Sequence, residues 1–206
     1  MRRYVVTGTD TGIGKTIFAA GLAGYLGARC WKPVQAGLDE ESDSEVVARL
    51  SGLGAGHIIP ERYRLKTPCS PHQAAAIDGV SIDARQLELP SVDGALVVEG
   101  AGGVLVPLSP TLLYADVFAD WRLPVILVAR TTLGTINHSL LSIEALRRRS
   151  IPLHGIVFAG DGNAASESAI CSIGNVTHLG RLPWLDDLNP MTLRTAFSAG
   201  IRTDLL

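Results

Sequence analysis

The chain has 206 residues, 47% of them hydrophobic and 18% charged, and this composition excludes a disordered protein. Its net charge of −2, from 18 basic and 20 acidic side chains, argues against a dedicated nucleic-acid or acidic-membrane binder. The three cysteines are far apart and form no C-x-x-C pair, which disfavours a disulfide framework or a zinc knuckle and is typical of a reducing compartment.

The start of the chain and its most apolar stretch predict where the protein works. Met1-Arg2-Arg3 leads straight into a short strand-like run rather than a signal-peptide core, and the apolar stretch 95–108 contains Glu99, glycines and a proline. No repeat and no linker rich in Pro, Gly or Ser divides the sequence. We therefore expect a single cytoplasmic domain over residues 1–206, without a membrane span or a nucleic-acid partner.

Short apolar runs alternate with segments of helical spacing along the whole chain. Near-continuous apolar runs are typical of strands that are buried on both faces of a parallel sheet. The predicted strands are Tyr4–Val6, Cys30–Val34, Ala95–Val98, Pro124–Ala129, Gly155–Phe158 and Val176–Leu179. The predicted helices are Lys15–Gly27, Asp43–Gly52, Asn137–Arg149 and Ala164–Gly174, with a further helix start at Ser70-Pro71-His72-Gln73. This alternation predicts an α/β fold, a doubly wound and mostly parallel sheet with helices on both faces. The least regular segment, Gly52–Gly79, is expected at the edge of the sheet.

The strongest chemical signal is Gly8-Thr9-Asp10-Thr11-Gly12-Ile13-Gly14-Lys15-Thr16, which lies between the first predicted strand and the first long helix. Glycines allow the backbone N–H groups to face inward, Lys15 can reach the β and γ phosphates, and the Thr16 hydroxyl can hold Mg²⁺. Five residues separate Gly8 from Gly14, where the common phosphate loop has four. The pattern predicts a nucleoside triphosphate site on a P-loop NTPase fold.

Two acids and a second lysine are candidates for the same site. Glu99 ends a buried strand, where it can bind Mg²⁺ or merely cap the following turn. Asp43 lies in an acidic run at a predicted helix start, and taken alone this run is more typical of a solvated helix start. Lys32 follows the second strand, and we expect it to point at the reacting centre and neutralise charge there, although an exposed surface lysine fits the sequence equally well.

Six motifs in one order resemble the dethiobiotin synthetase family and reach from Gly8 to Leu185. They are the phosphate loop Gly8–Thr16, Lys32-Pro33-Val34-Gln35, Ser70-Pro71-His72, Glu99-Gly100-Ala101-Gly102-Gly103, Leu133-Gly134-Thr135-Ile136-Asn137-His138 and Leu182-Pro183-Trp184-Leu185. The five-residue spacing of the phosphate loop is this family's own form.

The resemblance implies a homodimeric, Mg²⁺-requiring ligase with ATP as co-substrate. Its reaction carboxylates 7,8-diaminononanoate with CO₂ and closes a cyclic urea, through a carbamate and a carbamic–phosphoric anhydride. The implied catalytic residues are Lys32, Lys15 and Thr11, and the implied metal ligands are Thr16, Asp43 and Glu99. The implied nucleotide-binding residues are Gly12, Ile13, Gly14, Lys15, Thr16, Ile17, Asp43, Glu99, Gly100, Ala101, Gly102, Leu182, Pro183 and Trp184. The implied substrate contacts are Ala36, Ser70, Pro71 and, reaching across from the partner subunit, Leu133, Gly134, Thr135, Ile136 and Asn137.

Two positions depart from the family pattern. Ala36 stands where the family usually carries Ser or Thr, and losing one neutral hydrogen bond there should weaken substrate binding by about 0.5–1.5 kcal/mol. Ala159-Gly160 stands where the family often has Asn-Asp, whose Asn reads the base. We therefore expect weak discrimination between nucleotide bases.

Two other classes of P-loop protein fit parts of the pattern. An ATP-dependent amide synthase of the cobyrinic acid type shares a related phosphate loop but usually carries a glutaminase domain, for which this chain is too short. A partitioning-type ATPase switch usually has an additional lysine early in the loop, whereas no lysine precedes Lys15 here. Phosphate release that depends on diaminononanoate, on glutamine or on a partner protein distinguishes the three.

Overall fold

A parallel sheet of seven strands forms the centre of the molecule in the computed structural model, which describes residues 2–206. The strands are β1 (Arg3–Gly8), β2 (Arg29–Trp31), β3 (Val34–Ala36), β4 (Ile58–Ile59), β5 (Tyr63–Leu65), β6 (Leu96–Gly103), β7 (Pro107–Ser109), β8 (Leu112–Leu113), β9 (Val125–Arg130), β10 (Leu153–Ala159) and β11 (His178–Leu182). The central sheet has the order β11-β10-β9-β1-β6-β2-β4, and each of its neighbouring pairs is parallel. This confirms the predicted doubly wound α/β fold.

Helices cover both faces of the sheet. They are α1 (Lys15–Leu26), α2 (Asp43–Leu50), α3 (Pro71–Ile77), α4 (Tyr114–Trp121), α5 (Thr135–Arg148), α6 (Ala164–Ile173) and α7 (Pro190–Gly200). Because successive side chains of a strand point to opposite faces, Val5 packs with α3, α4, α5 and α6, whereas Val6 packs with α1, α2 and α7. None of the helices within residues 2–206 is long and apolar enough to cross a membrane.

The expected strand Cys30–Val34 is wrong as a single element. β2 ends at Trp31, and β3 begins at Val34 in a separate two-stranded sheet with β5. Pro33 has no N–H group to continue the ladder, and its carbonyl accepts hydrogen bonds from the N–H groups of Arg62 and Tyr63 instead. As a result Lys32 lies just beyond the carboxyl end of β2.

The last predicted strand, Val176–Leu179, is displaced to His178–Leu182. Val176 belongs to the turn that follows α6, because its N–H group donates to the Cys171 carbonyl and Asn175 takes a left-handed conformation with φ of 42°. The sequence reasoning also missed α4 and α7. The irregular segment Gly52–Gly79 contains the edge strand β4, as expected, together with β5 and α3.

Candidate active site

A cleft of about 730 Å³ opens where β1, β6 and β2 end. Parallel strands present their carboxyl ends at one edge of the sheet, and ligands bind there in open α/β folds. The cleft brings together many of the predicted site residues: Thr11, Gly12, Ile13, Gly14, Lys15, Thr16, Ile17, Lys32, Ala36, Asp43, Ser70, Pro71, Glu99, Ala101, Gly102 and Trp184. Gln35, Pro68, Cys69 and Val106 also line it.

The phosphate loop is shaped by close backbone approaches. A Cβ atom on Gly8 would lie 2.8 Å from the Ile13 side chain and 2.9 Å from that of Lys15, so a larger residue there would displace these side chains. Gly14 has φ of 90° and precedes α1 without any side-chain capping bond. The first-turn N–H groups of α1 therefore remain available to an anion in the cleft.

Lys15 is held by its own loop in this structure. Its Nζ donates to the Asp10 carbonyl at 2.6 Å, while the Asp10 carboxylate accepts from the Thr11 N–H and pairs with Arg130 at 3.4 Å. Burial and the neighbouring Lys32 ammonium lower the pKa of Lys15 to about 8, against the partial opposition of nearby carboxylates. Lys15 thus lies at the predicted phosphate site and loses its proton at a lower pH than an exposed lysine does.

The Thr16 hydroxyl joins the two predicted acids. Its Oγ1 lies 3.1 Å from Asp43 Oδ1 and 2.8 Å from Glu99 Oε1. Asp43 reaches this point because α2 begins there, after a capping box in which Ser42 and Glu45 satisfy each other's backbone N–H groups. The acidic run therefore caps a helix and also delivers Asp43 to the cleft.

Lys32 lies between the same two acids rather than pointing freely towards the cleft. Its buried ammonium pairs with Asp43 Oδ2, donates to Glu99 Oε1 at 3.1 Å and donates to the Gly100 carbonyl at 2.8 Å. Burial alone would lower the pKa of Lys32, but the two carboxylates outweigh burial and raise it. Burial raises the pKa of Glu99 against the opposing effect of Lys32, whereas Lys32 and Thr16 hold the pKa of Asp43 low despite its burial.

The predicted substrate side of the cleft is formed by β3 and the start of α3. Ala36 and Pro71 line it, and Ser70 precedes Pro71 at the N-terminus of α3. The predicted helix start at Ser70-Pro71 is confirmed, but Ser70 makes no side-chain capping bond, and its Oγ instead contacts His72 Nδ1 at 3.1 Å. Cys69, to which the sequence reasoning gave no role, lines the same wall.

The predicted base-binding residues Leu182, Pro183 and Trp184 form an apolar wall. Leu182, Pro183, Trp184 and Ala159 line a small cavity of about 90 Å³ beside Gly14 and Ile17. Gly160 has φ of 116°, and a Cβ atom there would lie 3.1 Å from the Trp184 indole nitrogen. The indole thus occupies space that any other residue at position 160 would fill.

The predicted substrate segment Leu133–Asn137 does not line the chain's own cleft. Leu133 is fully exposed, and α5 begins at Thr135 after Gly134 without a side-chain cap. Leu141, farther along α5, and Leu105 are also exposed and line one further cavity.

Several relatives match almost the entire chain. The family model described as an AAA domain matches residues 2–192. An ATP-dependent dethiobiotin synthetase of Rhodopseudomonas palustris (strain HaA2) is 62% identical and covers 97% of this chain and 94% of its own. One from Novosphingobium aromaticivorans is 58% identical over 99% of this chain and 98% of its own.

Solved structures with low identity share the fold. The cell division ATPase MinD of Pyrococcus furiosus aligns with a TM-score of 0.57 at 14% identity, over 98% of this chain and 90% of its own. A ParA family ATPase from Chlorobium tepidum aligns with a TM-score of 0.55 at 10% identity, over 98% of this chain and 90% of its own. These likenesses concern the P-loop architecture alone. The identity to the curated relatives, extending over nearly their whole length, shows that this chain belongs to the ATP-dependent dethiobiotin synthetase family.

Proposed function

We propose that this chain is the ligase that makes dethiobiotin from 7,8-diaminononanoate, CO₂ and ATP in the cytoplasm. The observation that carries the proposal is near-full-length identity of about 60% to dethiobiotin synthetases, on a cleft that assembles a phosphate loop, two acids and two lysines. Membership of the family makes the enzyme an ATP-dependent cyclo-ligase of biotin biosynthesis. The order of the chemical steps, the metal and the dimer are our proposals.

The proposed reaction has three steps: carbamate formation, phosphoryl transfer and ring closure. One neutral amine of the substrate attacks CO₂ and loses a proton to give a carbamate. The carbamate oxygen then attacks the γ phosphorus of ATP, so ADP leaves and a carbamic–phosphoric anhydride remains. The second amine, in its neutral form, attacks the anhydride carbon, phosphate leaves, the nitrogen loses a proton to solvent, and the urea ring closes.

The phosphate loop and both lysines support these steps by charge. The open first-turn N–H groups of α1 and the Lys15 ammonium bind the phosphates. Cations near the substrate lower the pKa of its amine, which favours the neutral form that attacks CO₂. The same cations then stabilise the carbamate and the charge that develops on the transferred phosphoryl group.

The donor set beside the phosphate loop fits Mg²⁺. It consists of one hydroxyl and two carboxylates, the hard oxygen ligands that this ion takes, and Glu99 Oε2 is buried without a hydrogen-bond partner among the described residues. No group of three or more His, Cys, Asp or Glu side chains within residues 2–206 is arranged to hold a metal alone. Thr16, Asp43 and Glu99 would therefore hold Mg²⁺ together with ATP phosphates, and the ion would neutralise phosphate charge there.

We further propose that the enzyme is a homodimer with shared sites. The N-terminus of α5 has no side-chain cap at Gly134, its residues do not line the chain's own cleft, and Leu133 and Ile136 beside it are exposed. An uncapped helix start suits the carboxylate tail of a substrate bound to the partner subunit. The exposed leucines of this region suit burial against a second copy of the chain.

Product analysis tests the proposal directly. The purified chain is incubated with 7,8-diaminononanoate, bicarbonate and ATP-Mg²⁺, and the product is examined by mass spectrometry with Lys15→Ala as the inactive control. A product heavier than the diamine by CO₂ minus water, formed together with phosphate, is expected. Phosphate release that requires glutamine, or a partner protein but no diamine, would identify one of the alternative classes instead.

A further inference from the structure

Gln35 is a buried polar residue of the cleft to which neither the family resemblance nor the proposed chemistry gives a role. Its side chain is 7% exposed and lies between the segment that lines the substrate side of the cleft and the start of α2. Burying an amide without partners is costly, so its hydrogen bonds indicate what the residue does.

The two ends of the Gln35 amide bind different elements. Its Oε1 accepts a hydrogen bond from the backbone N–H of Asp43 at 3.3 Å. Its Nε2 donates to the carbonyl of Gly37 at 3.2 Å and, more weakly, to that of Ala36 at 3.4 Å. The side chain thus closes the exposed loop between Ala36 and Asp43.

The bond to Asp43 satisfies a group that the helix itself leaves open. Asp43 is the first residue of α2, and the capping box of Ser42 serves the N–H groups of Ser42 and Glu45 but not that of Asp43. Gln35 supplies the missing acceptor. The backbone from which the Asp43 carboxylate extends is therefore fixed by a residue of β3.

We propose that Gln35 is a positioning residue. Its hydrogen bonds fix the backbone of Asp43 relative to β3 on the substrate side of the cleft. The inference rests on the proposed function, since it concerns the acid assigned there to Mg²⁺. It explains why a glutamine occupies a buried position in Lys32-Pro33-Val34-Gln35 without facing a phosphate. Loss of the side chain should loosen Asp43 and leave the phosphate loop unchanged.

The test compares Gln35→Met, which keeps length and removes the hydrogen bonds, with Gln86→Met, which removes an exposed glutamine that also makes a side-chain bond. Amide hydrogen exchange at Asp43, measured by NMR on the metal-free protein, should accelerate at least tenfold in Gln35→Met only. The Mg²⁺ concentration for half-maximal turnover should rise about five- to tenfold, as expected of one or two neutral hydrogen bonds. Excess Mg²⁺ should restore kcat, which would not happen after general damage to the fold.

Gln35→Ala, which removes the same bonds without a bulky replacement, is measured in place of Gln35→Met if methionine is not accommodated. Unchanged exchange at Asp43 or an unchanged Mg²⁺ requirement in the folded variant would overturn the proposal, as would a loss of kcat that excess Mg²⁺ does not restore. Failure of the proposed function would give a different experimental result. It would appear as wild-type protein that makes no dethiobiotin, while the exchange measurement still reports on Gln35.

Discussion

Burial disfavours the positive charge of Lys15. Its pKa falls to about 8, chiefly through burial, against about 10.4 for an unfolded lysine. Protonated Lys15 therefore reduces the stability of the empty protein below about pH 8, and this penalty disappears as the pH rises towards the unfolded value. A bound polyphosphate reverses the preference, because its negative charge favours the ammonium.

Nucleotide binding should consequently take up a proton above about pH 8. We expect ATP affinity to fall by up to tenfold per pH unit above that value, with proton uptake visible in calorimetric titrations made in buffers of different ionisation enthalpy. Lys15→Arg, which stays charged, should bind with little pH dependence over the same range. Wild-type affinity that stays constant from pH 7.5 to 9.5 would contradict the lowered pKa.

Substitution of Asp43 or Glu99 should change the Mg²⁺ requirement, whereas substitution of another acid in the run that contains Asp43 should not. Asp43→Asn and Glu99→Gln keep shape but lose the charge that a hard cation prefers, so each should raise the Mg²⁺ requirement about tenfold or more. Asp39→Asn, an exposed acid in the same run, is the matched control and should have no effect. If Asp43→Asn behaves like Asp39→Asn in a Mg²⁺ titration of turnover, Asp43 serves the helix start alone.

At the scale of elements, the loop after β10 is where we expect the base to be bound. Two of its polar groups are engaged internally: the Gly160 carbonyl accepts from Arg181, and the Asn163 side chain caps α6 through the Ser166 N–H and reaches the Thr131 carbonyl. The surface next to it is the indole of Trp184. Such a site favours stacking, which is tolerant of base identity.

We therefore expect ATP, CTP and GTP to support turnover within about tenfold of one another, with the phosphates supplying most of the affinity. Trp184→Ala should weaken all three nucleotides by similar factors, about tenfold from the loss of stacking. Steady-state kinetics with each nucleotide measures both effects. A preference for ATP above about a hundredfold would show that another group reads the base.

The elements that were predictable from sequence are those whose pattern is local. The buried strands β1, β6, β9 and β10 show continuous apolar runs, and α1 begins where glycines meet Lys15. The break at Pro33 and the displaced β11 depend on tertiary hydrogen bonds, which no local pattern displays. α7 did carry a signal, the capping residue Asn189 followed by Pro190, which the reasoning from apolar spacing overlooked.

At the scale of the whole molecule, two chains should be needed for each site. Lys15→Ala and Gly134→Pro should each be inactive, the second because proline cannot adopt the φ of 95° found at Gly134. Mixed in equal amounts, they should recover about a quarter of wild-type activity, since half of the dimers carry one intact site. The measurement is turnover after mixing, with subunit exchange verified by differently tagged chains.

A fully active monomer would contradict shared sites, and so would the absence of rescue in dimers shown to have mixed.

The sequence could predict which segments carry the site, because motifs and strand ends are visible in it. It could not predict that Lys32 turns inward, since only the folded sheet brings Asp43 within reach, nor that Gln35 bonds to Asp43. That the 206 residues form a single domain stays a prediction.

The place of Lys32 between two acids has a consequence for how its variants are interpreted. A buried carboxylate without a cation beside it takes up a proton, and a protonated acid is a poor ligand for a hard ion. Lys32 pairs with both carboxylates, and its charge opposes the protonation of Asp43 and Glu99 that burial favours. A lysine expected to act late in the reaction thus prepares the acids before any substrate arrives. Kinetics of a Lys32 variant at one Mg²⁺ concentration would combine both roles, and a series of concentrations separates them.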